Sequence, residues 1–142
     1  MTQSAPDAHF DTPIKCLSLI KECANPRFVY GGVLETRTSY VYSDVHVLSI
    51  PGFVWFKSAD SPAVPRYAHT CEYVQGGQMM SIGGIDNPSS ELDVRSNQAS
   101  PDPFLQGIGI FDMTNMRWKS SYDADSPSYE SPQPVKEWYS AG

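Results

Sequence analysis

The chain has no apolar run near the ~20 residues that a membrane-spanning helix requires, and it is poor in positive charge. Ten Lys and Arg stand against 16 Asp and Glu among its 142 residues, a formal charge of −6. The ten are scattered, whereas phosphate binding needs them clustered, so a nucleic-acid partner is excluded. An acidic surface is equally unsuited to anionic lipid. The opening residues, "MTQSAPDAHFDTP", contain no Lys or Arg and no apolar core, so they do not read as a secretory signal. As written, the product is expected in the cytosol. Cysteine is scarce too: Cys16, Cys23 and Cys71 leave one unpaired under any disulfide scheme. Asn25 and Asn87 precede proline, and neither Asn97 nor Asn115 opens a glycosylation sequon. These two features lean weakly towards a reducing compartment.

What the chain does have is proline, 12 of them, separating short stretches rich in Val, Ile, Phe, Tyr and Trp. Strands are expected at Ile14–Ile20, Arg27–Gly31, Val45–Ile50, Phe53–Lys57, Arg66–Val74, Gln78–Gly83, Ile108–Met113 and Arg117–Ser121. "IKCLSLIKECA" carries a partial helical stripe, but its place in the repeat below favours a strand. Alternation is weak: "DVHVLSI" and "GIGIFDM" put apolar residues on both faces, and "FVWFK" is apolar almost throughout. Such runs suit strands covered on both sides, so sheets must stack on sheets. The class is all-β.

Two apolar runs end in diglycines, "PRFVYGG" at 26–32 and "QMMSIGG" at 78–84, and aligning them exposes an internal repeat. "HVLSIPGFVW" (46–55) then matches "GIFDMTNMRW" (109–118) without a gap, pairing Leu48 with Phe111 and Trp55 with Trp118. Upstream, Cys16 lies 15 residues before Gly31 and Cys71 lies 12 before Gly83. The diglycine-to-Trp distance is 24 in the first unit and 35 in the second, with the surplus in one polar stretch after Ile85. Each unit supplies four strands in roughly fifty residues, the pattern of a propeller blade.

On these marks the sequence resembles the kelch-repeat family: Gly31 and Gly32, Gly83 and Gly84, the aromatic Phe111, the tryptophans Trp55 and Trp118, and "PRYAH", whose Arg66 and His69 are similar to the Arg-x-x-His that opens many kelch blades. The first unit departs from the pattern, with Leu48 where an aromatic is usual and "DTPI" in place of Arg-x-x-His. "GIGIFDMTNMRWKSSYDAD" together with "VKEWYS" looks like the last blade of fungal kelch-repeat proteins anchored in a membrane or wall. The resemblance implies a non-catalytic protein-interaction scaffold of two four-stranded antiparallel blades, a partial propeller and a fragment of a larger one. The alternative it leaves open is part of a galactose-oxidase-like, metal-dependent oxidase propeller. It also implies an extracellular or anchored location if the chain is a piece of such a protein. The expected layout is an N-terminal tail (1–13), blade 1 (14–58), blade 2 (59–122) with a long loop (85–106), and an acidic Ser/Pro-rich tail (123–142). That last tail is expected to be extended or disordered, with Trp138 and Tyr139 docking on the last blade.

Two blades leave broad faces uncovered, because propellers close with about 4–8. The expected partners are therefore a protein, or further copies of the chain joined through the exposed blade faces. The diglycines admit positive φ and close backbone approach, and the aromatics pack between blades; these residues build the fold. No cofactor, metal or catalytic residue is assigned. His69 and Cys71 share a face at i, i+2 if they lie on one strand, yet further ligands are missing. "GIGIFD" lacks the third glycine and the helix of a dinucleotide loop, and "DADSPSYE" has Pro127 where a calcium loop needs a ligand. The candidate partner-binding element is the 85–106 loop, with Asp86, Asn87, Glu91, Asp93, Arg95 and Asn97. Removing residues 88–102 is expected to leave the fold intact.

Overall fold

A computed structural model describes residues 17–19, 26–34, 40–60, 64–85, 102 and 104–141. The β-branched and aromatic stretches form ten strands: β1 (Leu17–Leu19), β2 (Arg27–Tyr30), β3 (Val33–Leu34), β4 (Tyr40–Val41), β5 (Val45–Ser49), β6 (Val54–Lys57), β7 (Thr70–Val74), β8 (Gln78–Ile82), β9 (Ile108–Asp112) and β10 (Arg117–Lys119). Among the described residues one α-helix, α1 (Gln133–Ser140), follows. Two four-stranded antiparallel meanders result, β1-β2-β5-β6 and β7-β8-β9-β10, with β3 and β4 as a small separate hairpin. The chain is all-β in two propeller-type blades, as the repeat implied, and β1 is a strand rather than a helix.

The repeat extends to hydrogen-bond register. Arg27 faces Leu48 and Leu48 faces Trp55 in blade 1. In blade 2, Met79 faces Phe111 and Phe111 faces Trp118. The β5–β6 and β9–β10 turns each use a non-glycine residue in the left-handed region at the same place, Phe53 and Met116, both at φ 53°. Phe53 thus belongs to a turn, not to the strand expected to start there.

The core is the seam between the blades. Phe28, Tyr30, Val45 and Val47 project from one face of blade 1, while Cys71, Met79 and Phe111 project from the facing side of blade 2, all in one buried cluster. Burying such side chains contributes about 1.5–3 kcal/mol each, an upper bound given residual burial in the unfolded chain. Cys71 is disulfide-bonded, with its partner outside the described residues.

The C-terminal stretch is not the extended or disordered tail expected from its Ser and Pro content. It is a strap. Asp123 exchanges hydrogen bonds with the Gln78 side chain, its carbonyl accepting from Nε2 at 2.8 Å and its N–H donating to Oε1 at 3.1 Å. Tyr129 then meets the Phe28 ring edge-on at 6.2 Å. Finally α1 seats Val135 in the core, and Tyr139 Oη accepts hydrogen bonds from Ser49 Oγ (2.8 Å) and Gly52 N–H (3.0 Å). Trp138 lies beside Gly52 as well. Both aromatics therefore dock on blade 1, not on the last blade.

Candidate functional site at the blade junction

The chain enters blade 2 through residues 64–69, a segment lacking regular strand structure. Tyr67 makes a bridge to Ile85, and β7 begins only at Thr70. His69 and Cys71 are therefore not two positions of one strand. The segment runs between the two diglycines. On one side, Arg66 O accepts from Gly32 N–H at 2.8 Å, and Arg66 N–H donates to Tyr42 O at 3.0 Å. On the other, Tyr67 and Ile85 exchange backbone hydrogen bonds of 3.0 and 2.9 Å. Such pairing satisfies backbone groups that a buried non-strand segment would otherwise leave unpaired.

The glycines make room for that passage. A Cβ on Gly31 would collide with the Arg66 carbonyl oxygen and reach within 3.0 Å of His69 Cε1. A Cβ on Gly84 would lie 2.7 Å from His69 Cβ and 2.9 Å from Arg66 Cγ and Tyr67 O. Gly32 and Gly83 face open space, so their requirement is the backbone alone, at φ 112° and 67°.

Arg66, only 1% exposed, is the junction's main tie through its side chain. Its Nη1 donates to Gly83 O (2.5 Å) and to Asp102 Oδ2 (2.8 Å), and its Nη2 donates to Asp102 Oδ1 (2.5 Å). The planar fork matches a carboxylate with two parallel bonds. That pairing holds the Asp102 carboxyl below its usual range. Arg66 also lies over the Phe104 ring at 4.7 Å, a cation–π geometry. Phe104 in turn stacks on Trp118 at 5.0 Å. The close approach requires Gly109, where a Cβ would sit 2.8 Å from both rings.

Trp118 reaches across the seam to Tyr30 (4.8 Å, edge-on) and lies 5.2 Å from Phe111, while Phe111 faces Phe28 at 6.4 Å. Tyr30 Oη donates to Val64 O at 2.9 Å, and burial pushes its pKa up to about 12. Its ring also meets His69 at 4.9 Å. Burial, then the neighbouring Arg66 charge, lowers the His69 pKa to about 4, with the Tyr30 backbone working weakly the other way. His69 is therefore neutral near pH 7.

Not all of the residues marked in the sequence meet here. Gly31, Gly32, Arg66, His69, Gly83, Gly84, Phe111 and Trp118 converge on the seam. Trp55 points away from it, 39% exposed, with His46 edge-on at 6.5 Å. Asp86, Asn87, Glu91, Asp93, Arg95 and Asn97 lie outside the described residues. Tyr30, Asp102, Phe104 and Gly109 were not marked. Tyr30 was detectable as the residue before a diglycine, and Asp102 carried no signal, since its partner is 36 positions away. Removing 88–102 would also delete the carboxylate that Arg66 grips, a tie that the expected tolerance of such a deletion did not take into account. Among the described residues no three His, Cys, Asp or Glu side chains gather in a way that could hold a metal, and no helix is long and apolar enough to cross a membrane.

No family model matches the chain. A kelch repeat-containing protein of the fungus Arthroderma benhamiae is 34% identical to it over 102 residues, 68% of this chain. The chain spans only 14% of that relative's length. With two diglycine blades in one register and a relative at this identity, the chain belongs to the kelch-repeat family.

Proposed function

We propose that the chain is a non-catalytic protein-binding scaffold, a segment of a larger propeller, with the 85–106 loop as its partner-binding element. The observation that carries the reading is how that loop is tied at both ends. Ile85 pairs with Tyr67 where the loop leaves blade 2, and Asp102 is gripped by Arg66 where it returns. Gly83 N–H then donates to Gly107 O at 3.0 Å, closing the loop's base. A polar excursion mounted on a fixed base is the usual form of a binding loop, because the scaffold absorbs the entropy cost of positioning it.

The charged groups of the junction support a non-catalytic role. Arg66 is taken up by the Gly83 carbonyl and the Asp102 carboxylate, and His69 is held neutral against an aromatic ring. The galactose-oxidase-like alternative gains nothing from this His69, whose ring faces Tyr30 inside the seam. The short span relative to the fungal protein supports a segment of a longer chain. The Cys71 disulfide supports an oxidising compartment, in keeping with an anchored or extracellular parent.

The test is a random-peptide display selection on immobilised 1–142, counter-selected on a variant lacking residues 88–101 and retaining Asp102. Ligands that bind the full chain and not the folded deletion variant support the loop as the binding element. Ligands that bind both equally place recognition elsewhere.

A further inference from the structure

Cys71 is disulfide-bonded, and the chain offers it two partners, Cys16 and Cys23, both outside the described residues. Strand register distinguishes them. Cys71 stands opposite Ser81 in the β7–β8 ladder and lies in the seam cluster with Met79 and Phe111. In the β1–β2 ladder Leu17 pairs with Val29 and Ser18 with Phe28. Cross-strand partners share a face, so Ser18 belongs to the side of blade 1 that carries Phe28 and Tyr30 into the seam. Continuing that register by one pair sets Cys16 opposite Tyr30, and alternation along the strand puts it on the same side as Ser18. Since β1 lies against β7, Cys16 and Cys71 belong to the two sides of the seam that face each other.

Level along the strands gives the same answer. Gly31 and Gly84 both close on the 66–69 segment, so the diglycine ends of β2 and β8 lie together, and the β1–β2 and β7–β8 connections lie at the opposite end. Cys71 is near the diglycine end, because its partner Ser81 precedes Gly83 by two residues. By the same count its level matches that of Leu17, whose partner Val29 precedes Gly31 by two. Cys16 is one residue from that level. Cys23 falls in the β1–β2 connection, which begins only beyond the Leu19–Arg27 pair. A strand rises about 3.3 Å per residue, and a disulfide needs its Cα atoms within about 7 Å. We infer that the bond joins Cys16 to Cys71 across the seam, stapling the first strands of the two blades and leaving Cys23 unpaired within the chain.

The staple falls where the ladder is thinnest. Among the described residues β1 is an edge strand, paired to β2 over three residues. A cross-link there closes a loop through all of blade 1, which restricts the unfolded chain. Two thiols forming the bond give up two protons and two electrons, and a disulfide-class oxidant such as oxidised glutathione takes them up by exchange as two thiols. The pairing goes beyond the scaffold reading and stands whether or not the 85–106 loop binds a partner.

The test maps the cysteines of 1–142 after equilibration in a buffer of reduced and oxidised glutathione. Remaining thiols are alkylated in denaturant before digestion. Trypsin, which cuts after Lys and Arg, releases Cys16 in residues 16–21, Cys23 in 22–27 and Cys71 in 67–95. Mass spectrometry is expected to show 16–21 joined to 67–95, with 22–27 joined to neither. A 22–27 peptide joined to 67–95 overturns the inference, and so do alkyl label on all three cysteines and comparable amounts of both pairings. Thermal melts give a second readout. Cys16→Ser and Cys71→Ser should melt at the same lowered temperature, and a reductant should bring wild type down to it while leaving both variants unmoved. Cys23→Ser should keep the wild-type response to reductant, and its loss of that response would assign the bond to Cys23 instead.

Discussion

The two blades share strand order, register and turn geometry, yet they differ in how tightly their tryptophans are held. In blade 2, Trp118 is stacked by Phe104, approached across Gly109 and capped by Tyr30 from the other blade. In blade 1 the position of Gly109 is His46, among the described residues no ring stacks on Trp55 in the manner of Phe104, and the side chain meets solvent. The difference follows from what each face meets. A kelch tryptophan makes its full set of contacts only when a neighbouring blade lies against it, so the same residue at the same register packs partly buried against the core in one place and stands exposed in the other.

The largest way to break the comparison is at Arg66. Arg66→Ala removes the tie among Gly83, Asp102 and Phe104, with an expected loss of about 3–5 kcal/mol in urea unfolding. Arg66→Lys should recover only part, because a single ammonium lacks the fork that takes both carboxylate oxygens. Next come the tryptophans themselves. Trp118→Ala is expected to cost about 3–5 kcal/mol, and Trp55→Ala about 1 kcal/mol because it is already partly in water. Equal losses would mean that the two positions are equally packed.

The glycines sharpen the contrast further. Gly31 and Gly83 share φ 67°, so alanine at either pays about 1–2 kcal/mol for left-handed backbone. Only Gly31→Ala also drives a methyl into the Arg66 carbonyl, and its total should exceed that of Gly83→Ala by at least about 1 kcal/mol. The pH dependence is smaller within the accessible range. The folded His69 pKa, about 4, lies below its ordinary 6.5, so the unfolded chain binds the extra proton and stability falls on acidification between these values. The loss from pH 6.5 to pH 5 is expected to be about 2 kcal/mol, and His69→Gln should flatten it. The smallest effect concerns the strap: Tyr139→Phe removes the acceptor for Ser49 and Gly52 and should cost about 1 kcal/mol, read as a modest drop in melting temperature.

Much of the framework was legible because it repeats. Eight of the ten described strands fell close to the apolar stretches, and the repeat matched Leu48 to Phe111 and Trp55 to Trp118, residues that pair with each other across the strands in both blades. The β3–β4 hairpin escaped because two-residue strands carry too little pattern. The strap escaped for a different reason. Ser and Pro suggested open chain, yet Val135, Trp138 and Tyr139 fall at i, i+3 and i+4 after a proline suited to a first helical turn. Where these aromatics dock depends on blade 1, far away in sequence, and no local rule reaches it. Asp102 is the same case at the junction: a loop carboxylate becomes structural only because Arg66 is folded beneath it.

The most direct measurement is a double-mutant cycle across the seam, using Tyr30→Leu, Trp118→Leu and the double variant, with urea unfolding at pH 7.5. If the two repeats are joined by this aromatic contact, the coupling energy should be about 1 kcal/mol or more. The same cycle between Tyr30 and Trp55 should give essentially none. A Tyr30–Trp118 coupling indistinguishable from zero would contradict a shared core between the blades.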